Sequence, residues 1–300
     1  MEFLLIFNKS ILPIFIILSI AFIYYRIFKP NIKDIANITL TVLAPIMTFE
    51  ALVRYNISPE SLILPIIFAF LLTFGLMAAA YGCYYLFRLN PSQKIPLILA
   101  ASMMNTGNFG LPLIFFTYGT DAKVYSIIYF IAFSIPLSTV AIYISSDKSR
   151  ILDILKDILK IPIFHGMIAA LLLNFMGINL PSSIDKSLSL VSQAAIPMMI
   201  FVLGLQLSSI KIEFGFLKVV GIATFLRLII SPVLAFFMLK FLNIHSLEQN
   251  VALLQTSGPV AVLTLLYAIR FNRSPHLMSA IIFVTTLVSG ITLTVLIKLI

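Results

Sequence analysis

The sequence predicts an all-α integral membrane protein whose ten transmembrane helices form two inverted five-helix repeats. Of its 300 residues, 61% are hydrophobic and 10% are charged, whereas soluble proteins carry about 25% charged residues. A membrane span takes about 20 residues, so a chain of this length holds roughly ten spans and their loops. Related motifs also recur in the two halves of the chain. The composition excludes a soluble enzyme, a nucleic-acid-binding protein and a receptor with a large ectodomain.

Ten apolar runs, separated by charged residues, prolines or asparagines, are predicted to span the lipid bilayer. In chain order they are 4–25, 35–54, 61–87, 95–118, 124–145, 162–180, 187–208, 219–241, 250–269 and 276–297. The first run does not resemble a cleavable signal, because Arg26 and Lys29 follow its apolar stretch and no A-x-A site ends it. We therefore expect the first run to remain in the membrane.

The loop charges predict the orientation of these spans. Loops after odd-numbered spans carry thirteen Lys and Arg residues and the opposite side carries six, although the net charge of the whole chain is only +9. Since basic loops face the cytoplasm, we expect a protein of the cytoplasmic (plasma) membrane with both termini outside. The longest loop, 146–161, is then cytoplasmic, and its pattern favours a short amphipathic helix on the membrane surface.

Short motifs repeat between residues 1–150 and 151–300. "ILPIF" at 11–15 corresponds to "KIPIF" at 160–164, and "APIMTF" at 44–49 corresponds to "IPMMIF" at 196–201. "MNTG" at 104–107 likewise corresponds to "LQTSG" at 254–258. A duplicated unit of five spans must insert upside down, and inverted repeats are typical of secondary transporters.

The sequence contains no pattern that favours catalysis or a cofactor. The H-E-x-x-H, G-x-S-x-G and P-loop motifs are absent, and His165, His245 and His276 stand apart from one another. Metal sites and active sites need several such groups together. We therefore expect a protein that is not an enzyme and that has neither a cofactor nor a metal site.

Polar residues, glycines and prolines interrupt the fourth and ninth runs at corresponding positions. In the fourth run these residues are Asn105, Thr106, Gly107, Asn108, Gly110 and Pro112. In the ninth they are Gln255, Thr256, Ser257, Gly258 and Pro259. Glycines and prolines here predict helix breaks whose freed backbone groups cannot face lipid. The alternative is a pair of kinks packed by small residues, but two matching breaks favour a substrate site built from the polar side chains.

Two ionisable residues lie within predicted spans, and each has two interpretations. Arg227 is a candidate partner for a substrate carboxylate, or a structural residue that binds the carbonyls of a broken helix. Glu50 is a candidate for proton coupling, or the partner of Arg54, one turn away on the same helix.

Four segments resemble the auxin efflux carrier family, which includes plant auxin exporters and bacterial malate and malonate permease-like proteins. They are "NTGNFGLPL" at 105–113, "AIPMMIFVLGLQL" at 195–207, "RLIISP" at 227–232 and "SGPVAVLTLLYAIRF" at 257–271. The resemblance implies a fold like that of bile-acid symporters, in which broken helices four and nine cross. It also implies a scaffold of spans 1, 2, 6 and 7, a homodimer formed through that scaffold, and a transport domain of spans 3–5 and 8–10.

The same resemblance assigns residues to the site. Asn105 and Thr106 match the first crossover, Pro259 matches the second, and Thr48 matches a hydroxyl position of span two. The implied function is elevator-type transport of a small organic anion, either auxin-like or malate/malonate-like. A sodium- or proton-coupled bile-acid-type symporter and a non-transporting membrane sensor of the same fold remain alternatives.

Overall fold

A computed structural model describes residues 2–55, 57–146, 161–210 and 216–300. It is 85% helical, and within these ranges the only β pairing is an isolated bridge between Met104 and Val260. We number the helices α1 (Glu2–Phe28), α2 (Ile32–Arg54), α3 (Glu60–Leu86), α4 (Pro91–Ser102), α5 (Leu111–Tyr118), α6 (Lys123–Ser145), α7 (Pro162–Met176), α8 (Ser182–Ser209), α9 (Leu217–Phe241), α10 (Ser246–Thr256), α11 (Leu263–Arg270) and α12 (Pro275–Leu299). The surface helix predicted in the long loop lies outside the described residues.

Seven of these helices are long and apolar enough to cross a membrane: α1, α2, α3, α6, α8, α9 and α12. Their ends lie within about five residues of the predicted runs. The sixth run is the shorter apolar helix α7. The fourth and ninth runs each contain two helices, namely α4 with α5 and α10 with α11. The chain is thus an all-α, multi-pass membrane protein.

Local sequence explains where the helices around the fourth run begin and end. At the start of α4, the Asn90 amide N–H donates to the Gln93 side chain at 3.0 Å, and Pro91 occupies the first turn. Proline suits this position because its missing N–H would have no partner there. Beyond Ser102, Met103 is extended (φ −109°, ψ 102°), and a π-helical turn, Thr106–Gly110, leads into α5.

Two helix pairs pack with their backbones in close contact. In α8, a Cβ on Gly204 would lie 2.4 Å from the Leu18 carbonyl oxygen of α1. In α7, a Cβ on Gly166 would lie 2.4 Å from the Pro45 carbonyl oxygen of α2. Only glycine permits such approaches. Helices α1 and α8 therefore form one closely packed pair, and α2 and α7 form another.

Candidate functional site

The polar interruptions of the fourth and ninth runs lie side by side. The main-chain N–H of Asn105 donates to the Pro259 carbonyl at 2.9 Å, and the main-chain N–H of Ala261 donates to the Met103 carbonyl at 2.9 Å. These two bonds flank the antiparallel bridge between Met104 and Val260. The bridge satisfies backbone groups that would otherwise be unpaired where α4 and α10 end. It also fixes the position of Asn105 relative to the second interruption.

Glycines allow the π-helical turn to approach its neighbours. A Cβ on Gly107 would lie 2.8 Å from the Phe130 ring of α6, and a Cβ on Gly110 would lie 2.7 Å from Gln255 Cγ. By contrast, the nearest atom to a Cβ on Gly258 would be 3.6 Å away. Pro112 occupies the first turn of α5, a position where proline starts a helix. Thus Gly107 and Gly110 serve close packing here, and Pro112 serves the restart of the helix.

Asn105 presents a buried side-chain donor. The residue is 6% exposed, and its Nδ2 has no hydrogen-bond partner among the described residues. Its main chain is fully engaged, because the Asn105 carbonyl also accepts the Gly110 N–H at 2.9 Å. In α2, the buried Thr48 hydroxyl likewise has no described partner. Unpaired buried polar groups are costly, so the side chains of Asn105 and Thr48 are candidates for ligand contact.

The polar side chains of the second interruption are already bonded within the protein. The Gln255 amide donates to the carbonyls of Thr106 and Ser126 at 2.9 Å each, and Ser126 Oγ donates to Gln255 Oε1 at 3.1 Å. The hydroxyls of Thr256 and Ser257 donate to carbonyls of their own helix, at 2.7 and 2.6 Å. Gln255 therefore ties the second interruption to the first and to α6, whereas the hydroxyls of Thr256 and Ser257 bond only carbonyls one turn back. Asn108 is partly exposed in the π-helical turn.

Arg227 lies at the ends of the two interrupted helices. It is fully buried in α9, where Nη1 donates to the Ala101 carbonyl near the end of α4 at 2.9 Å. Nη2 donates to the Thr256 carbonyl at the end of α10 and to Ser231 Oγ. A helix C-terminus carries partial negative charge and unpaired carbonyls. These contacts favour the structural interpretation of Arg227, as the cation that neutralises both C-termini.

Glu50 has a more extended set of partners than the sequence suggests. Arg54 Nη2 lies 3.0 Å from Glu50 Oε1, as the spacing on one helix predicts. The other oxygen, Oε2, lies 2.6 Å from Lys123 Nζ of α6 and accepts a hydrogen bond from Ser192 of α8 at 3.3 Å. The Glu50 side chain is 2% exposed. A buried carboxylate thus joins three helices, α2, α6 and α8.

The sequence did not identify the residues on other helices that bind Gln255 and Glu50. Ser126, Lys123 and Ser192 make their contacts across 129, 73 and 142 positions of the chain, respectively. No local pattern signals such pairings. Lys123 directly precedes the fifth run, so its position marks it only as a charge of the preceding loop. No group of three or more His, Cys, Asp or Glu residues that could hold a metal is found in the described part of the chain.

Comparisons with known proteins agree with the resemblance. The model of a family described as "Membrane transport protein" matches residues 6–297. A protein of Methanocaldococcus jannaschii named an uncharacterized transporter is 31% identical over 268 residues, which is 86% of either chain. A similarly named protein of Methanothermobacter thermautotrophicus is 27% identical over 88% of either chain. "Auxin efflux carrier component 8" of Arabidopsis thaliana is 33% identical over 116 residues, covering 38% of this chain and 31% of the plant protein.

Proposed function

The chain belongs to this membrane transport family, which includes the auxin efflux carriers, and from that premise we propose that it moves a small organic anion across the membrane by elevator-type alternating access. Its relatives are named as transporters and not as enzymes. The proposed substrate is a carboxylate, either auxin-like or malate/malonate-like. The proposed binding residues centre on Asn105 and Thr106, and Thr48 is the residue that the proposed scaffold contributes.

The proposal includes ten spans in two inverted repeats, 1–150 and 151–300, with broken helices four and nine crossing. The ends of α4 and α10 and the antiparallel bridge between Met104 and Val260 support it. The packing pairs also support it. Two five-span repeats match span one with span six and span two with span seven, so the close pair of spans one and seven corresponds to the close pair of spans six and two. Paired interruptions near the midplane are typical of transporter binding sites.

One observation carries the choice of an anion: Arg227 donates hydrogen bonds to carbonyls at the C-termini of α4 and α10. A cation at the crossover would need such carbonyls as ligands. Arg227 neutralises the C-termini of α4 and α10, so the N-termini of α5 and α11 contribute the remaining partial charge, which is positive. The unpaired side-chain amide of Asn105 contributes a hydrogen-bond donor. Donors and positive charge together suit a carboxylate.

We further propose that spans 1, 2, 6 and 7 form a fixed scaffold and that spans 3–5 and 8–10 move. The close α1–α8 and α2–α7 packing supports a rigid scaffold. The plasma-membrane location, the outer position of both termini and the scaffold homodimer are part of the proposal, whereas proton coupling through Glu50 belongs to the alternative of a proton-coupled symporter.

The proposal is tested with purified protein in liposomes. Mono- and dicarboxylates and an indole acid are loaded, and counterflow is measured with and without a pH gradient and with sodium or potassium outside. We expect saturable exchange of at least one carboxylate without a sodium requirement. Sodium-dependent uptake would favour the bile-acid-type symporter instead. Binding of a carboxylate without any counterflow would favour the sensor and contradict the proposal.

A further inference from the structure

The Lys123–Glu50 contact joins the two units of the proposed transporter. Glu50 in α2 and Ser192 in α8 belong to the proposed scaffold, whereas Lys123 is the first residue of α6 in the proposed moving unit. Lys123 Nζ lies 2.6 Å from Glu50 Oε2 and 3.4 Å from Ser192 Oγ. One ammonium group therefore contacts the scaffold through two different helices.

An apolar interface between α2 and α6 lies next to this contact. Met47, one turn before Glu50, is 1% exposed and packs in one cluster with Ile127 and Ile128 of α6. Apolar side chains can slide past one another with little change in energy, because their contacts are not directional. A charge-assisted hydrogen bond of 2.6 Å, in contrast, is lost once the two helices shift beyond the reach of the Lys123 side chain.

We infer that Lys123 is a positioning residue of the transport cycle, which acts through Glu50 to hold the moving unit against the scaffold in the conformation described here. The inference rests on the proposed function, because that function supplies the motion that the contact restrains. Each time the moving unit shifts, Lys123 must leave Glu50 and Ser192. The contact then selects one conformation over others, as a bond present in only one state does.

Arg54 explains how the contact can open. A buried carboxylate left without any cation would be strongly destabilising, and such a bond would rarely break. Arg54 stays on the same helix as Glu50 and holds the other oxygen at 3.0 Å. It keeps Glu50 paired after Lys123 departs, and Ser192 remains hydrogen-bonded to Oε2. The arrangement thus combines one permanent partner with one that can leave.

The test measures exposure of a buried reporter in detergent, without substrate. In a Cys83→Ser background, Met47→Cys places one thiol under the contact, and its alkylation rate by a polar maleimide reports separation of the helices. We expect Lys123→Met to raise this rate about tenfold, which corresponds to 1.4 kcal/mol. Lys123→Arg should restore the original rate, since it keeps the charge. Lys186→Met, which removes an exposed lysine of α8, is the matched control and should change nothing.

A double-mutant cycle separates this role from general destabilisation. Glu50→Gln and Lys123→Met should raise the rate non-additively, because each breaks the same contact. If Lys123→Met does not fold, Ser192→Ala replaces it and should raise the rate in the same direction by a smaller factor. Rates within twofold of the parent for folded Lys123→Met or Ser192→Ala would overturn the inference, as would additive effects in the cycle.

The same proteins distinguish this inference from the proposed function. Faster alkylation in Lys123→Met, together with no counterflow of any carboxylate by the parent protein, would support the contact and reject anion transport. Carboxylate counterflow by the parent, together with unaltered alkylation in Lys123→Met, would leave transport standing and reject the role of Lys123.

Discussion

Arg227 and Glu50 are both ionisable residues buried in membrane-spanning helices, but their partners are of different kinds. Arg227 binds main-chain carbonyls at the ends of α4 and α10 and a hydroxyl of its own helix. Glu50 binds the side chains of Arg54, Lys123 and Ser192. All partners of Arg227 lie in the proposed moving unit, whereas those of Glu50 lie in both units.

This difference indicates two uses of a buried charge. Carbonyls at helix ends are fixed by the helices themselves, so Arg227 stabilises one arrangement of the crossover. Side chains on separate helices can part when those helices move, so the Glu50 contacts can differ between conformations. Burial alone therefore does not mark a functional charge. The mobility of its partners is the better guide, and the predictions below test this distinction.

The largest expected effect is that of Arg227→Ala on folding. The substitution removes donors from two helix ends, and hydrogen bonds to charged groups are worth about 1.5–3 kcal/mol each. We expect the folded state to lose about 3 kcal/mol or more, with Arg227→Lys intermediate because one ammonium cannot reach every acceptor as a planar fork does. The yield of monodisperse protein and its melting temperature measure the effect.

The exposed Arg270 provides the control for this prediction, and Arg270→Ala should leave yield and melting temperature unaltered. A stable Arg227→Ala protein that has lost carboxylate binding would reverse the conclusion. Arg227 would then be the substrate partner that the sequence also allowed.

Asn105→Ala should act on binding and not on folding. It removes one or two hydrogen bonds to a charged acceptor, worth about 1.5–3 kcal/mol, so the affinity for the transported carboxylate should fall about ten- to a hundredfold. Asn105→Asp should be worse, because it places like charges together. The substrate-induced rise in melting temperature measures the loss.

The matched control is Asn37→Ala, at an exposed position of α2. It should bind substrate like the parent protein. Undiminished affinity in Asn105→Ala would remove Asn105 from the site while leaving the fold unaffected.

Much of the fold could be predicted from sequence because lipid imposes a simple pattern. Each apolar run had to be a helix, and the described helices follow the runs closely. The interruptions at Asn105 and Gly258 were also visible, since glycine, proline and polar residues are rare enough in apolar runs to stand out. The ten-span inverted arrangement itself stays a prediction.

The partners within the site could not be predicted. The sequence marks Gln255 as a candidate ligand-binding amide, and this assignment stays a prediction. The bonds of Gln255 to Ser126 and Thr106 depend on how separate segments pack together, and the sequence does not reveal them. Lys123 looked like a loop charge that sets topology, and only packing brings it to Glu50. A single sequence records residue types and local spacing, and neither determines contacts across 73 or 129 positions.

Gly110→Ala should disturb the crossover through packing. The new methyl group would lie 2.7 Å from Gln255 Cγ and 3.3 Å from the Asn105 carbonyl oxygen, and overpacking costs about 1–3 kcal/mol. Gly82→Ala in α3 is the control, since no atom lies within 4 Å of its Cβ position, and it should stabilise by about 0.4–1 kcal/mol. Thermal unfolding measures both, and equal melting temperatures would mean that the π-helical turn can shift.

The smallest expected effect is that of Arg54→Gln, and it sharpens the comparison within the Glu50 contacts. The Arg54 side chain is 49% exposed, against 22% for Lys123, and it pairs with a residue one turn away on its own helix. Because the Arg54 head group is half exposed, solvent screens its attraction for Glu50, and we expect about the 0.3–0.5 kcal/mol of a helical pair one turn apart. Lys123 keeps the buried Glu50 carboxylate paired when Arg54 is removed. Melting temperature and Met47→Cys alkylation should therefore stay close to the parent values, whereas Lys123→Gln should change alkylation clearly. Equal increases of the Met47→Cys alkylation rate in Arg54→Gln and Lys123→Gln would contradict this. Loss of either cation next to Glu50 would then loosen the packing around Met47, whether or not that cation lies in the moving unit.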